Sequence, residues 1–319
     1  MSYLLISSLA LGLLFGQEAA TPPASQAAPG RVAAAPAIQL EDVVVQRQRL
    51  ERAIRNFVDE VAAPSPGRGP ARWDRRVCVG VVNVRNPAAQ HLVDRVSQVA
   101  MDVGLEPGDP GCKANVVIIG TSDGQALAQA LVDVTPRAFR PNWSGSDRGG
   151  VALEQFVASD APVRWWHVAL PVDSQTGEPV VRIPGQDDEP RRTAIFASSR
   201  LRTQVQNNLD RVFVIVDFGR AEGLNFNQLS DYIAMVALAQ IDPDAATSGF
   251  NSVLNLFEQP GGAGIDGLTD WDRSYLTALY DAELNQLRPS HQANSVSNVM
   301  VHDRRAQAAA PAEGETQAE

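Results

Sequence analysis

Apolar residues recur along the chain in two alternating rhythms, one helical and one stranded. From Leu40 to Val61 they fall at Leu50, Ile54, Phe57, Val58 and Val61, a spacing that lines one face of a helix, and Pro64-Ser65-Pro66-Gly67 ends it. The runs Val77-Cys78-Val79-Gly80-Val81-Val82 and Asn115-Val116-Val117-Ile118-Ile119-Gly120 read as strands. Between them, Leu92, Val93, Val96, Val99, Ala100 and Val103 restore the helical period over residues 88–103. A strand–helix–strand unit of this kind sets its two strands parallel and close in one sheet.

Further on, Ser122-Asp123-Gly124 offers an N-cap to a helix over Gln125 to Val134. Pro136 to Gly150, rich in Pro, Gly and Arg, reads as a loop. Val163 to Val172 predicts a strand carrying Trp165, Trp166 and His167, and Asp173 to Pro190 a polar loop or loose hairpin. Within Asn208 to Phe218, the run Arg211-Val212-Phe213-Val214-Ile215-Val216-Asp217 is nearly all apolar, as a central strand covered on both faces would be. A helix follows from Leu229. Strands alternate with helices throughout, which predicts an α/β (α+β) fold: a mixed sheet with packed helices in a single main domain.

The ends shorten the folded part of this chain of 319 residues. Residues 2–16 form an apolar run too short to span a bilayer with ease and placed where a secretory signal belongs, so residues 1–20 are expected to be a signal peptide. An uncleaved N-terminal anchor is the alternative, and with no Cys nearby a lipoprotein anchor is not expected. Residues 21–38 are Ala/Pro-rich, and residues 288–319 are polar with few large apolar side chains. Neither buries enough surface to offset its ordering entropy, so both are expected to be disordered around a main domain at 39–287. A net charge of −10 with no compensating basic face argues against nucleic acid and anionic membrane surfaces. No stable membrane span is expected once the signal is cleaved. Cys78 and Cys112 border the strands of the strand–helix–strand unit, at matching ends where disulfide distance is within reach. In an exported protein a bridge is the expected state, two reduced core thiols being the alternative.

The order of elements from Gln228 to Tyr280 carries the most information. A helix-like run, Leu229-Ser230-Asp231-Tyr232-Ile233-Ala234-Met235-Val236-Ala237-Leu238-Ala239-Gln240-Ile241-Asp242, precedes Ser252-Val253-Leu254-Asn255. Then comes Leu268-Thr269-Asp270-Trp271-Asp272-Arg273-Ser274-Tyr275-Leu276-Thr277-Ala278-Leu279-Tyr280. This order resembles the metzincin-type zinc metallopeptidases, with an active-site helix, a Ser-Ile-Met turn and a closing helix. A metzincin carries His-Glu-x-x-His on that helix, so that two imidazoles one turn apart hold zinc and the Glu activates its water. In that frame Asp231 stands at the first ligand, Tyr232 at the Glu, Met235 at the second ligand, Ile241 at the third and Leu254 at the turn methionine. A thioether is a poor zinc ligand, Ile is none, and Tyr cannot act as the carboxylate base. The resemblance therefore implies a metzincin-like scaffold without its zinc ligands, similar to exported bacterial proteins that share a Leu-x-Asp-Tyr-x-Ala-Met helix and a Leu-Thr-x-Trp-Asp-Arg helix.

Two readings of the retained residues stand. In one, Met235 packs in the core while Asp231, on the same helix face, caps or pairs with an arginine. In the other, Asp231, Tyr232 and Met235 line a residual binding cleft with Trp165 and Trp166. Thr269 is a natural N-cap, with Asp270 and Asp272 in the first turn favouring the helix dipole. His91, His167, His291 and His302 show no ligand spacing. Asp242-Pro243-Asp244 with Thr247 and Ser248 lacks the full calcium-loop signature and reads as a solvated turn. Gly261-Gly262-Ala263-Gly264 reads as a flexible connector, and no nucleophile elbow is present. The chain is thus expected to have no catalytic residue, metal or cofactor, and to act by binding an envelope protein or a small ligand. One alternative is a metal-dependent hydrolase that pairs Asp231 with Asp242 or Asp244. Another is an accessory protein of envelope transport, because Glu41-Asp42-Val43-Val44-Val45 resembles a segment near the N-terminus of TonB-dependent receptors.

Overall fold

The computed structural model describes residues 40–74, 76–141, 146–180 and 202–309. The chain divides into two compact units, 1–43 and 44–319. Of the first unit only residues 40–43 are described, so the predicted signal peptide (1–20) and linker (21–38) lie outside the described residues. In chain order the elements are α1 (Leu40–Val61), β1 (Arg76–Val77), β2 (Val79–Val82), α2 (Asn86–Asp102), β3 (Glu106–Pro107), β4 (Val116–Thr121), α3 (Gly124–Val134) and α4 (Pro136–Phe139). They continue with α5 (Gly150–Ala158), β5 (Val163–Asp173), β6 (Val205–Asp217), α6 (Phe226–Leu238), α7 (Asp270–Asp281) and α8 (Pro289–Ala309).

The main sheet runs in the order β2-β4-β6-β5. Its first three strands are parallel and β5 closes one edge antiparallel to β6, which makes the fold the mixed α/β architecture that the alternating periods predict. The strand–helix–strand unit is present as β2-α2-β4, with Val79 beside Val116. Cys78 and Cys112 lie at disulfide distance, their Cα atoms 6.1 Å apart.

Each sheet face carries its own apolar layer, and the two-residue period of β5 divides its side chains between them. Val163, Trp165 and Ala169 join the large core with residues of α1, α2, α6, α7 and α8. Trp166 and Val168 join a smaller cluster with Ala128 of α3, Phe139 of α4 and Phe156 of α5. Every residue of α6 from Leu229 to Leu238 is buried. Its N-terminus is closed by a capping box between Asn225 and Gln228, and α7 opens on the predicted Thr269 cap, paired with Asp272. The Asp272 carboxylate also accepts Ser252 Oγ at 2.6 Å and Val253 N at 2.8 Å, which ties the tight turn Val253–Asn255 to α7.

Three stretches differ from the expectation. The tail expected to be disordered from residue 288 instead forms α8 over Pro289–Ala309; residues 310–319 lie outside the described residues. Few as they are, Val296, Met300 and Val301 sit on one stripe and are buried in the large core. Residues 136–150, expected to be a loop, hold the short helix α4, and α5 begins at Gly150. The glycine-rich connector includes a single 3-10 turn, Pro260–Gly262, whose Gly262 is buried and whose carbonyl accepts from Gln228.

The docking of α8 gives a direct test. Met300 is fully buried, so Met300→Ala is expected to lower the unfolding free energy by about 2–4 kcal/mol in urea titration, a loss that a disordered tail would not produce.

Candidate functional site

A cavity of about 270 Å³ lies along the outer edge of β5. Phe156 and Gln155 of α5 wall it on one side, Tyr232 of α6 with Ile241 and Pro243 on the other. Trp165 meets Tyr232 edge-on with ring centroids 6.0 Å apart, and its indole N–H donates to Ile241 O at 2.9 Å. Trp166 points to the opposite face and donates to Phe139 O at 2.8 Å. Both indoles therefore have their polar atom satisfied and present apolar surface, as buried tryptophans should.

Two titratable groups of this wall, Tyr232 and His167, are held out of ordinary acid–base work. Burial pushes the Tyr232 phenol well above its usual range, so it stays protonated. His167 Nε2 lies 2.8 Å from Val236 O. A carbonyl only accepts, so Nε2 carries the proton and Nδ1 is left as acceptor. Burial lowers the His167 pKa to about 4, so the ring is neutral at physiological pH. Arg148 pairs with Asp242 at 3.0 Å beside the cavity.

Of the five residues that the sequence groups into a cleft, Trp165, Trp166 and Tyr232 line this cavity, and Asp231 and Met235 do not. Successive helix residues do not share a face, so Tyr232 can line the wall only if Asp231 points elsewhere. The Asp231 carboxylate accepts Arg95 Nε of α2 and Leu268 N, the latter at 2.8 Å. The adjacent Gly267 leaves no room for a side chain beside it. Met235 is fully buried in the core. Asp231 and Asp242 thus each answer a different arginine and do not converge. Among the described residues, no three His, Cys, Asp or Glu side chains are placed to share a metal ion. Glu41-Asp42-Val43-Val44-Val45 lies in the opening turns of α1.

The main chain of β5 supplies what residue types could not announce. Asp217 donates its N–H to Pro162 O, and antiparallel pairing alternates, so residues 164 and 166 bond to β6. Val163, Trp165 and His167 then turn their N–H and C=O away from β6, toward the cavity. The opposite strand agrees: Val212, the register partner of His167, donates to Asn115 O on the β4 side. Beyond the bulge between Val168 and Ala169 the outer edge is covered, by Ala169 N to Ser146 O and Val180 N to Pro171 O. Among the described residues, nothing covers 163–167 in this way.

Arg148 and Arg164 also line the cavity and were not singled out by sequence. The available signal was Arg164 itself, a charge inside an otherwise apolar strand. Comparison of the chain with family models, with curated proteins and with solved structures finds no match.

Burial of neutral His167 predicts a pH dependence. With a folded pKa of about 4 against an ordinary 6.5, the unfolded chain binds the extra proton between those values. Stability is then full above about pH 6.5 and falls as the pH drops toward 4, by about 3 kcal/mol over the window. Denaturant titration from pH 7 to 4.5 checks this, and His167→Gln, which can still donate to Val236 O, is expected to remove most of the slope.

Proposed function

We propose that the protein is exported and non-catalytic, a metallopeptidase-like scaffold without its zinc chemistry, and that it works in the cell envelope by binding an extended peptide segment along β5. The observation that carries this reading is the outward edge at Val163, Trp165 and His167, uncovered among the described residues and bordering an aromatic-walled cavity. A row of unpaired main-chain donors and acceptors accepts an added strand, and a pocket beside it gives that strand a side-chain anchor. The order α6, Val253–Asn255 turn and α7 supports the scaffold half of the reading. In the metzincin frame the first two ligand positions are Asp231, paired with Arg95, and Met235, buried in the core. Among the described residues no helix is long and apolar enough to cross a membrane.

Two measurements test the two halves. Protein purified without chelator is expected to carry no stoichiometric zinc; zinc that is present and disappears in Asp231→Ala would sink the non-catalytic reading. For strand addition, Val163→Pro removes an N–H that points at the cavity while leaving the β5–β6 ladder intact. It is expected to weaken capture of a random octapeptide library on the order of tenfold, with the thermal midpoint little changed. Unaltered capture by a folded Val163→Pro protein rules out pairing at this edge.

A further inference from the structure

A second cavity, of about 350 Å³, opens at the C-terminal ends of β4 and β6. The chain leaves β4 for α3 on one sheet face and leaves β6 for α6 on the other. Ligand crevices of open α/β sheets form where neighbouring strands part in this way. Ser159, Asp160 and Arg164 line this cavity and the one along β5 alike, so the two are neighbours at the start of that strand.

Arg164 is the group without an account. It is only 3 % exposed, yet among the described residues no carboxylate lies within ion-pair distance of it. Its Nη1 donates to Val157 O at 3.2 Å, while its Nε–H, sealed from solvent, has no acceptor. The guanidinium nitrogen left to meet an anion is therefore Nη2, on the edge it shares with the sealed Nε. That edge stands over buried Gly124, where an added Cβ would come within 2.8 Å of Nη2.

The neighbouring acids are already engaged. Asp217 accepts Gly124 N at 3.0 Å, Gly219 N at 3.1 Å and Arg220 N at 3.3 Å. Asp123 caps α3 through Ala126 N at 2.9 Å. Arg220 adds a second guanidinium to the lining, and Asp160 is an exposed rim carboxylate. Three acids in the lining repel a phosphate dianion more than a monoanion, which favours a carboxylate.

Resting on the strand-addition reading, we propose that Arg164 holds the C-terminal carboxylate of the bound peptide. A segment antiparallel to β5 runs toward Val163 and ends beside Arg164, which lines both cavities. The protein is thus a reader of free, extended chain ends.

The test uses the full chain with paired pools of N-acetylated random octapeptides, one pool with a free C-terminal acid and one amidated. The acid pool is expected to be retained on the order of tenfold more strongly, and Arg164→Gln to erase that preference. Gly124→Ala, which fills the space against the guanidinium, is expected to do the same if Arg164→Gln fails to fold. Equal retention of acid and amide by the wild-type protein overturns the carboxylate site and leaves strand addition standing. Retention of neither pool overturns both, and an acid preference that survives in folded Arg164→Gln removes the role given to Arg164.

Discussion

The C-terminus of α6 ends inside the core, and much of the structure follows from satisfying it. The last four carbonyls of a helix lack intrahelical partners, and buried ones cost about 1–3 kcal/mol each if left without a donor. Here Met235 O accepts Ala239 N, Val236 O accepts His167, Ala237 O accepts Trp73 and Leu238 O accepts Tyr280. The three side-chain donors come from the segment after α1, from β5 and from α7. One helix end therefore orients three distant parts of the chain. It also accounts for three polar aromatic groups in the interior without assigning any of them to catalysis.

That anchoring shapes the candidate site. His167 is fixed to α6 at the middle of β5, and the bulge follows one residue later, between Val168 and Ala169. The extra residue is Asp210 of β6, opposite the Val168–Ala169 step, and pairing resumes from Ala169 to Asp173; bulges raise the local twist and gather beside functional sites. Past this one the outer edge of β5 is covered by Ser146 and Val180; before it, no described residue covers the edge, and aromatic rings line the cavity beside it. The division between protected and open edge thus falls where the strand is held most firmly. An edge offered to a partner must stay in register, and the His167 bond supplies that rigidity.

Much of this was legible in the sequence because it is local. The helical stripe of α1, the strand–helix–strand unit, the apolar centre of β6 and the Thr269 cap each follow from residue types at fixed spacings. What escaped depends on a partner surface. In α8, Val296, Met300 and Val301 stand in a polar background, and only a prepared core makes so narrow a stripe worth ordering. The aromatic residues of the site, Trp165, Trp166 and Tyr232, were legible as types. The outward-turned main-chain groups at Val163, Trp165 and His167 were not, since their direction depends on the register with β6. Arg164 carries no periodic or motif signal, and its missing acceptor is a fact of packing alone.

Asp231 shows what a buried carboxylate does for the packing of α6. In the metzincin frame it stands where a ligand would offer its lone pair to zinc. A carboxylate there has two uses that exclude each other. Its oxygens now take Arg95 of α2 and the N–H of Leu268, so α6 is tied at once to its neighbour helix and to the approach to α7. Freeing those oxygens for a metal would strand a guanidinium and a buried amide, a cost that a single weak ligand could not offset. With Met235 sealed in the core, the same helix face supplies no second ligand. The next face round carries Tyr232, which meets Trp165 edge-on beside the outer edge of β5, and it is on that face that the proposed binding site is built.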